Sequence, residues 1–258
     1  MKKTTLKTSL IQTALVWENP KENLGHFSKK LKTLYGKTDL VVLPEMFTTG
    51  FSMKPEGLAC DSGILDYLKD HAVKGNFAIY GSVMFQEGSH YVNRGIFMRS
   101  DGSSASYDKR HAFTLAGEHE VYQRGEKPVI AEYLGWKFNL QICYDLRFPV
   151  FARNTEDYDV VIYIANWPVP RVNAWDALLK ARAIENMSYC IGVNRVGTDG
   201  TGMNYNGHSQ VYQVLGQELL AHPWETEGIQ TVEIHKSEIE KYRSKLRFLE
   251  DRDRFTLN

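Results

Sequence analysis

The sequence predicts an α/β protein in which mixed sheets are covered by helices. Two observations lead there. The first half alternates strand-like and helix-like segments, and further strand-like runs come in hairpin pairs between them. With 258 residues, 43% of them hydrophobic, the chain can bury one large core. No internal repeat, low-complexity stretch or linker interrupts it, so residues 1–258 read as a single domain.

Residues 6–13 alternate as a strand does. Asn19-Pro20 then supplies a helix cap and a first-turn proline, with Glu22 three after the cap. Leu24, Phe27, Leu31 and Leu34 continue at helical spacing. The run DLVVLPE at 39–45 is short and apolar, as a strand covered on both faces would be, and Glu45 closes it. Asp61 is the expected cap of a second helix carrying Ile64, Leu65, Leu68 and Ala72. Residues 76–83 read as a strand, and 90–98 with 103–108 as a hairpin turning at Asp101-Gly102. Lys109 follows that hairpin directly. Residues 110–127 form a long polar loop holding Glu118 and Glu120, and loops of that length are often functional.

A second hairpin turns near Leu134-Gly135 and ends at Cys143. A helix is expected from there to about Thr155, then a buried strand at 159–166. Trp175, Leu179, Ala183 and Met187 mark one face of the next helix. Strands are expected at 188–196, 207–213, 217–221 and 229–235, and a charged helix at 236–245.

Composition narrows the function. Lys plus Arg equals Asp plus Glu at 31 each, so no net charge draws the chain to nucleic acid or an anionic membrane. No apolar run reaches the length of a membrane span. Threonines and Lys7 interrupt the first apolar stretch, which argues against a secretory signal. Cys60, Cys143 and Cys190 are too widely spaced for a disulfide framework or a zinc motif, and the histidines form no HExxH. A cytoplasmic, reducing setting without a metal fits best.

Glu45, Lys109 and Cys143 each stand just past an expected strand, where sites of α/β sheets assemble. A thiolate nucleophile, a carboxylate base and an ammonium beside an oxyanion are the parts of thiol acyl transfer. Amides opening a helix after Cys143 would lower its thiol and stabilise an oxyanion. Taken singly, each residue also fits a plainer part: a buried cysteine, a loop carboxylate, a solvated lysine. Cys60, Cys190 and Trp175 read as packing, and His111, His119 and His208 as loop or hydrogen-bonding residues.

LPEMF at 43–47, YDKRHAF at 107–113 and QICYDLRFP at 141–149 resemble the three signature regions of the nitrilase superfamily of carbon–nitrogen hydrolases. Lys109 follows Glu45 by 64 residues and Cys143 follows Lys109 by 34, which matches the order and spacing of that family. ANWP at 165–168, AWDALLKARAIEN at 174–186 and NRVGTDG at 194–200 extend the likeness over nearly the whole chain. PEMFTTGFSM at 44–53 and the tail near FLEDRDRF resemble its omega-amidase branch.

The resemblance implies a four-layer α-β-β-α sandwich that pairs into a homodimer. The stretches 146–155 and 172–187 would face the partner. It implies Glu45 as general base, Lys109 as oxyanion-stabilising ammonium and Cys143 as nucleophile, with the Tyr144 amide completing the oxyanion site. A second glutamate orients substrate and lysine. Glu118 is the choice because it stands seven before Gly125, and Glu120 is the alternative. The implied substrate is a small omega-amide of a dicarboxylate, of the 2-oxoglutaramate or 2-oxosuccinamate type. No cofactor is implied. Arg171, after the ANWPVP turn, is the candidate for the substrate carboxylate. Arg147 is its rival, or the partner of Asp145 in a salt bridge. A carbamoylase or another amidase with the same triad, or a catalytically silent scaffold, would carry a similar sequence.

Overall fold

The computed structural model describes residues 2–221 and 223–257. The single-domain reading also includes Met1, His222 and Asn258, which lie outside the described residues.

β1 (Thr5–Gln12), β2 (Leu40–Val42) and β3 (Ala78–Glu87) are parallel neighbours. The crossovers between them are α1 (Pro20–Thr33) and α2 (Gly63–Gly75). The Asn19 cap forms as expected, its side chain accepting from the Glu22 amide at 3.2 Å. The Asp61 cap does not form. Ser62 holds the cap position, and Asp61 instead folds the entry turn by accepting from the Gly63 amide at 2.8 Å. β3 runs four residues beyond the expected Val83 and turns at 88–89 into β4 (His90–Met98), a hairpin that sequence reading missed. β5 (Ser104–Asp108) pairs with β4. A last strand, β13, numbered in chain order (Gly228–His235), pairs antiparallel with β1 and completes a six-stranded sheet.

A four-residue α3 (Glu118–Val121) lies in the polar loop. β6 (Ile130–Tyr133) and β7 (Trp136–Ile142) form the second hairpin. β8 (Val160–Ala165), β9 (Tyr189–Asn194) and β12 (Gln210–Tyr212) extend it into a five-stranded sheet. The helix expected from Cys143 to Thr155 is only a 3-10 turn, Cys143–Arg147. Pro149 has no amide to donate there. Asn154 then replaces helical bonds with its own, accepting from Tyr158 N at 2.9 Å and donating to Tyr158 O at 3.0 Å. α4 (Val172–Asn186) packs on β9, where Gly192 gives it room: a Cβ there would lie 2.3 Å from Leu179. The strand expected at 217–221 is reduced to one bridge, Glu218 to Tyr212. A short ribbon of β10 (Val196–Thr198) and β11 (Asn204–Asn206) was not foreseen. α5 (Lys236–Leu246) ends the regular structure apart from a 3-10 turn, Phe248–Asp251.

The four layers follow from side-chain alternation. Leu40 and Val42 of β2 face Leu140, Ile142, Ile162 and Ile164 of the other sheet in one buried cluster. Val41 and Ile79 face outward onto Phe27, Leu31 and Leu68 of α1 and α2. Val161 and Tyr163 face outward onto Trp175 and Leu179 of α4. Burial on both faces is why these strands read as unbroken apolar runs. The result is the expected α-β-β-α sandwich. No helix among the described residues is long and apolar enough to cross a membrane.

Candidate active site

The chain leaves β2, β5, β7 and β8 at one end of the sandwich, and the residues just past these strands meet between the sheets. Glu45, Lys109 and Glu118 are all buried there. Lys109 Nζ donates to Glu45 Oε1 at 2.8 Å and stands 2.9 Å from both oxygens of Glu118. Glu118 also accepts from the Phe113 amide at 2.5 Å. Glu120 is not part of this cluster; its side chain is 75% exposed. Burial works against the Lys109 ammonium, yet Glu118 and Glu45 beside it raise it above its ordinary value. Burial likewise holds the Glu118 carboxyl up; Lys109 pulls it down and Glu45 pushes it up.

The loop that carries Glu118 returns to Lys109 through Gly125. The Gly125 amide donates to Lys109 O at 2.9 Å, and a Cβ at Gly125 would lie 2.0 Å from Asp108 O. Glycine is therefore required at that crossing, seven residues beyond Glu118.

Cys143 sits directly after β7 with φ at +46°, a strained setting for a residue with a Cβ. Asp145 fixes the turn. Its Oδ2 accepts from Ile142 N at 2.9 Å and from Tyr107 of the opposite sheet at 2.7 Å. Its Oδ1 accepts from the amide of His111 at 3.0 Å. The Cys143 sulfur lies 4.0 Å from Asn166 O. The expected lowering of this thiol is overturned. Burial pushes it well above its ordinary value, Glu45 adds to that directly and through a hydrogen bond, and Lys109 only partly offsets them. A 3-10 turn of five residues is too short to reverse the sum.

Two residues of the cluster escaped sequence reading. Asn93 of β4 donates to Glu45 Oε1 at 2.9 Å and to Glu118 Oε1 at 3.2 Å. Asn166, just past β8, donates its amide to Glu45 Oε2 at 2.9 Å and its side chain to Glu45 O at 2.8 Å. The sequence signal was the ANWP stretch for Asn166 and an asparagine inside a strand-like run for Asn93.

Cys143 opens onto a pocket of about 460 Å³. Tyr144, Arg171 and Arg147 all line it, with Lys54. Arg171 lies over the Phe113 ring at 5.1 Å, and its carbonyl accepts from Trp167 Nε1 at 2.7 Å. Arg147 lies over the Trp167 ring at 4.9 Å and is not the partner of Asp145, which is occupied by His111, Tyr107 and Ile142. The acidic lining residues are already engaged: Glu18 accepts from Ser52 at 2.5 Å, and Asp199 from Tyr205 at 2.8 Å. Among the described residues no cluster of metal-ligating side chains is found.

The carbon–nitrogen hydrolase family model matches residues 7–244. The chain is 41% identical to the omega-amidase YafV of Yersinia enterocolitica, over 98% of this chain and 99% of that one. It is 42% identical to the omega-amidase YafV of Escherichia coli, over 98% of each. A 2-oxoglutaramate amidase of Bacillus subtilis is 31% identical over 94% of this chain and 96% of its own. The crystal structure of a carbon–nitrogen hydrolase superfamily protein from Xanthomonas campestris, with an arsenic adduct in its active site, matches with a TM-score of 0.96. Its sequence is 38% identical, and the match covers 99% of this chain and all of that one. A protein with this fold, matched by the family along nearly its whole length, is a hydrolase of carbon–nitrogen bonds: the chain belongs to the carbon–nitrogen hydrolase family.

The electrostatics of Cys143 give a first prediction. Glu45→Gln removes a negative charge beside the thiol and leaves Lys109 in place. The Cys143 thiolate then forms at lower pH than in the wild type, by about one unit or more. Cys60, whose burial holds it at about 11 with Thr48 and Asp61 as its other influences, serves as the internal control. Alkylation by iodoacetamide, followed at each cysteine by mass spectrometry across pH, measures both. A Cys143 profile that stays put or moves upward refutes this account.

Proposed function

We propose that the protein is an amidase hydrolysing short omega-amides of dicarboxylates, of the 2-oxoglutaramate or 2-oxosuccinamate type, through a Cys143 thioester. The observation that carries this reading is a thiol at the wall of one pocket, with a buried carboxylate and ammonium beside it and three cations, Lys54, Arg147 and Arg171, on the lining. The names of the relatives at 41% and 42% identity supply the substrate class.

In this mechanism the Cys143 sulfur attacks the amide carbon as its proton passes to Glu45. The carbonyl electrons move to oxygen, held by Lys109 and the amide of Tyr144. That amide opens the 3-10 turn, so no carbonyl within the turn takes it. An ammonium has three donors. Glu45 takes one, and the two Glu118 oxygens, both at 2.9 Å, share another in a bifurcated bond when the third turns to the oxyanion. Collapse breaks the carbon–nitrogen bond while Glu45 returns the proton to nitrogen, and ammonia leaves. Glu45 then takes a proton from water as its oxygen adds to the thioester. The second collapse breaks the carbon–sulfur bond as Glu45 returns that proton to sulfur, which frees the acid and restores the thiol. Transfer through Glu45 suits a thiol that holds its proton at rest. Ammonia release is the direct assay, across a panel of omega-amides, neutral amides, carbamoyl compounds and nitriles. Turnover is expected for the omega-amides and should vanish in Cys143→Ala with the fold intact. Release of ammonia by that variant would remove Cys143 as nucleophile; turnover confined to nitriles or carbamoyl compounds would remove the substrate class.

A buried substrate carboxylate needs a cation or several donors. Arg171 is proposed for that part, because its backbone is tied to Trp167 and its guanidinium lines the pocket. A hydrogen bond to a charged group is worth roughly 1.5–3 kcal/mol. Arg171→Ala should therefore lower kcat/KM for an omega-amide acid about tenfold or more beyond its effect on a neutral amide of equal length. Equal losses on both substrates would assign Arg171 to loop support.

We also propose that the protein pairs with a second copy. The apolar residues Val150, Phe255 and Leu257 are exposed, and Val150 shares one hollow with Leu257 and another with Phe255 and Glu185 of α4. This moves the expected partner face from a helix at 146–155 to the irregular segment there. Light scattering at micromolar concentration should give a dimer mass that Val150→Asp lowers; a monomer mass for the wild type sinks the idea.

A further inference from the structure

Asn93 touches all three buried charged residues of the site. Its side-chain N–H₂ donates to Glu45 Oε1 at 2.9 Å and to Glu118 Oε1 at 3.2 Å. Its main-chain oxygen accepts from the Lys109 amide at 3.0 Å. The amide orientation is fixed by chemistry, since two carboxylate oxygens can only accept. This orientation leaves the buried Asn93 Oδ1 without a hydrogen-bond partner among the described residues. A native structure rarely leaves a buried amide oxygen so. The residue gives up one bond to direct both donors at the carboxylates.

The lone pairs of Glu45 can then be counted. Oε1 accepts from Lys109 at 2.8 Å and from Asn93 at 2.9 Å, which fills it. Oε2 accepts from the Asn166 amide at 2.9 Å. Its other neighbour, Asn166 Nδ2, is at 3.4 Å and bonds more closely to Glu45 O, at 2.8 Å. Oε2 therefore keeps acceptor capacity and Oε1 does not. We propose that Asn93 is a positioning residue that commits Glu45 to exchanging the Cys143 proton through Oε2. It does so by occupying Oε1 and by neutralising part of the charge that Glu45 and Glu118 share. This inference rests on the proposed role of Glu45 as base.

Several groups set the charge felt at Glu45. Lys109 faces it from the end of β5, Glu118 from α3 and Cys143 from the turn after β7. The Tyr80 hydroxyl of β3 and the Tyr122 hydroxyl after α3 lie within electrostatic reach. Lys109 is the single cation among them. Without the Asn93 donor, the Glu118 carboxyl is held up further, and the thiol faces a less neutralised charge.

The test uses two variants of nearly the same shape. Asn93→Leu removes the donor, and Asn93→Asp replaces it with a third carboxylate. The acid limb of kcat/KM for an omega-amide should move to higher pH by about one unit or more in Asn93→Leu. It should move further in Asn93→Asp. That limb belongs to the coupled cluster and not to one residue. KM at the optimum should change little while kcat falls. The alkylation profile of Cys143 should also move to higher pH in both variants, and this readout needs no turnover. If Asn93→Leu does not fold, as judged by thermal melting, Asn93→Asp carries both measurements. Loss of activity to the same extent at every pH, with both profiles unmoved, would make Asn93 a structural residue and overturn the proposal. If the wild type hydrolyses no amide but the alkylation profiles move as stated, the positioning survives and the amidase reading fails.

Discussion

Lys109 holds one positive charge against two carboxylates in a place that water barely reaches. Moving such ions out of water costs several kcal/mol each, and attraction repays this only where remaining donors and acceptors are matched. The matching comes from three directions. Asn93 of β4, the Asn166 amide past β8 and the Phe113 amide in the long loop all donate to the carboxylates. Two carboxylates and one ammonium leave an excess negative charge, and neutral donors spread it. The 110–127 loop is thereby fixed. It must bring Glu118 to Lys109 and then cross back beside Asp108, where only Gly125 fits.

The charged cluster belongs mostly to the six-stranded sheet, whereas Cys143 and Asn166 come from the other. Their mutual placement depends on how rigidly the sheets are joined. The apolar layer from Leu40 and Val42 to Ile142 and Ile164 sets the spacing. Asp145 sets the local register, because one carboxylate holds the Cys143 turn to Tyr107 and His111 across the gap. The positive φ of Cys143 is maintained by this fixing. A cysteine in a relaxed strand end would direct its sulfur differently.

Much of the fold could be read because its layers write themselves as patterns. β2 and β8 showed as unbroken apolar runs, since both faces are covered, and α1 announced itself through Asn19, Pro20 and Glu22. The segment after Cys143 misled because Leu146 and Val150 stand four apart, as on one helix face. Leu146 is buried while Val150 is exposed, and Asn154 closes the segment with side-chain bonds that no periodicity reveals. At the site, Glu45, Lys109 and Cys143 stood out by following strands, and Gly125 marked Glu118. Asn93 stayed hidden because an asparagine in a strand carries no motif, and Asn166, although it stands in the ANWP stretch, was not singled out there. Their importance lies in what they face, and that is a property of the assembled sheets. The direction of the thiol shift was also illegible. It depends on whether burial and two carboxylates outweigh one ammonium, a sum over distances that sequence does not contain.

For the proposed substrate class, the same excess negative charge has a second consequence. An omega-amide acid carries a carboxylate at one end and a neutral amide at the other. The Glu45 and Glu118 pair repels the carboxylate from the sulfur end of the pocket. Lys54, Arg147 and Arg171 attract it elsewhere on the lining, where Glu18 and Asp199 are already hydrogen-bonded. Opposed fields of this kind favour one of the two ways round for a short, linear molecule. The neutral end is left facing Cys143. For a substrate of the proposed class, the charge that makes the thiol hard to ionise would thus also sort its two ends. A neutral diamide of the same length would feel little of this, so its disadvantage should arise in orientation as much as in affinity.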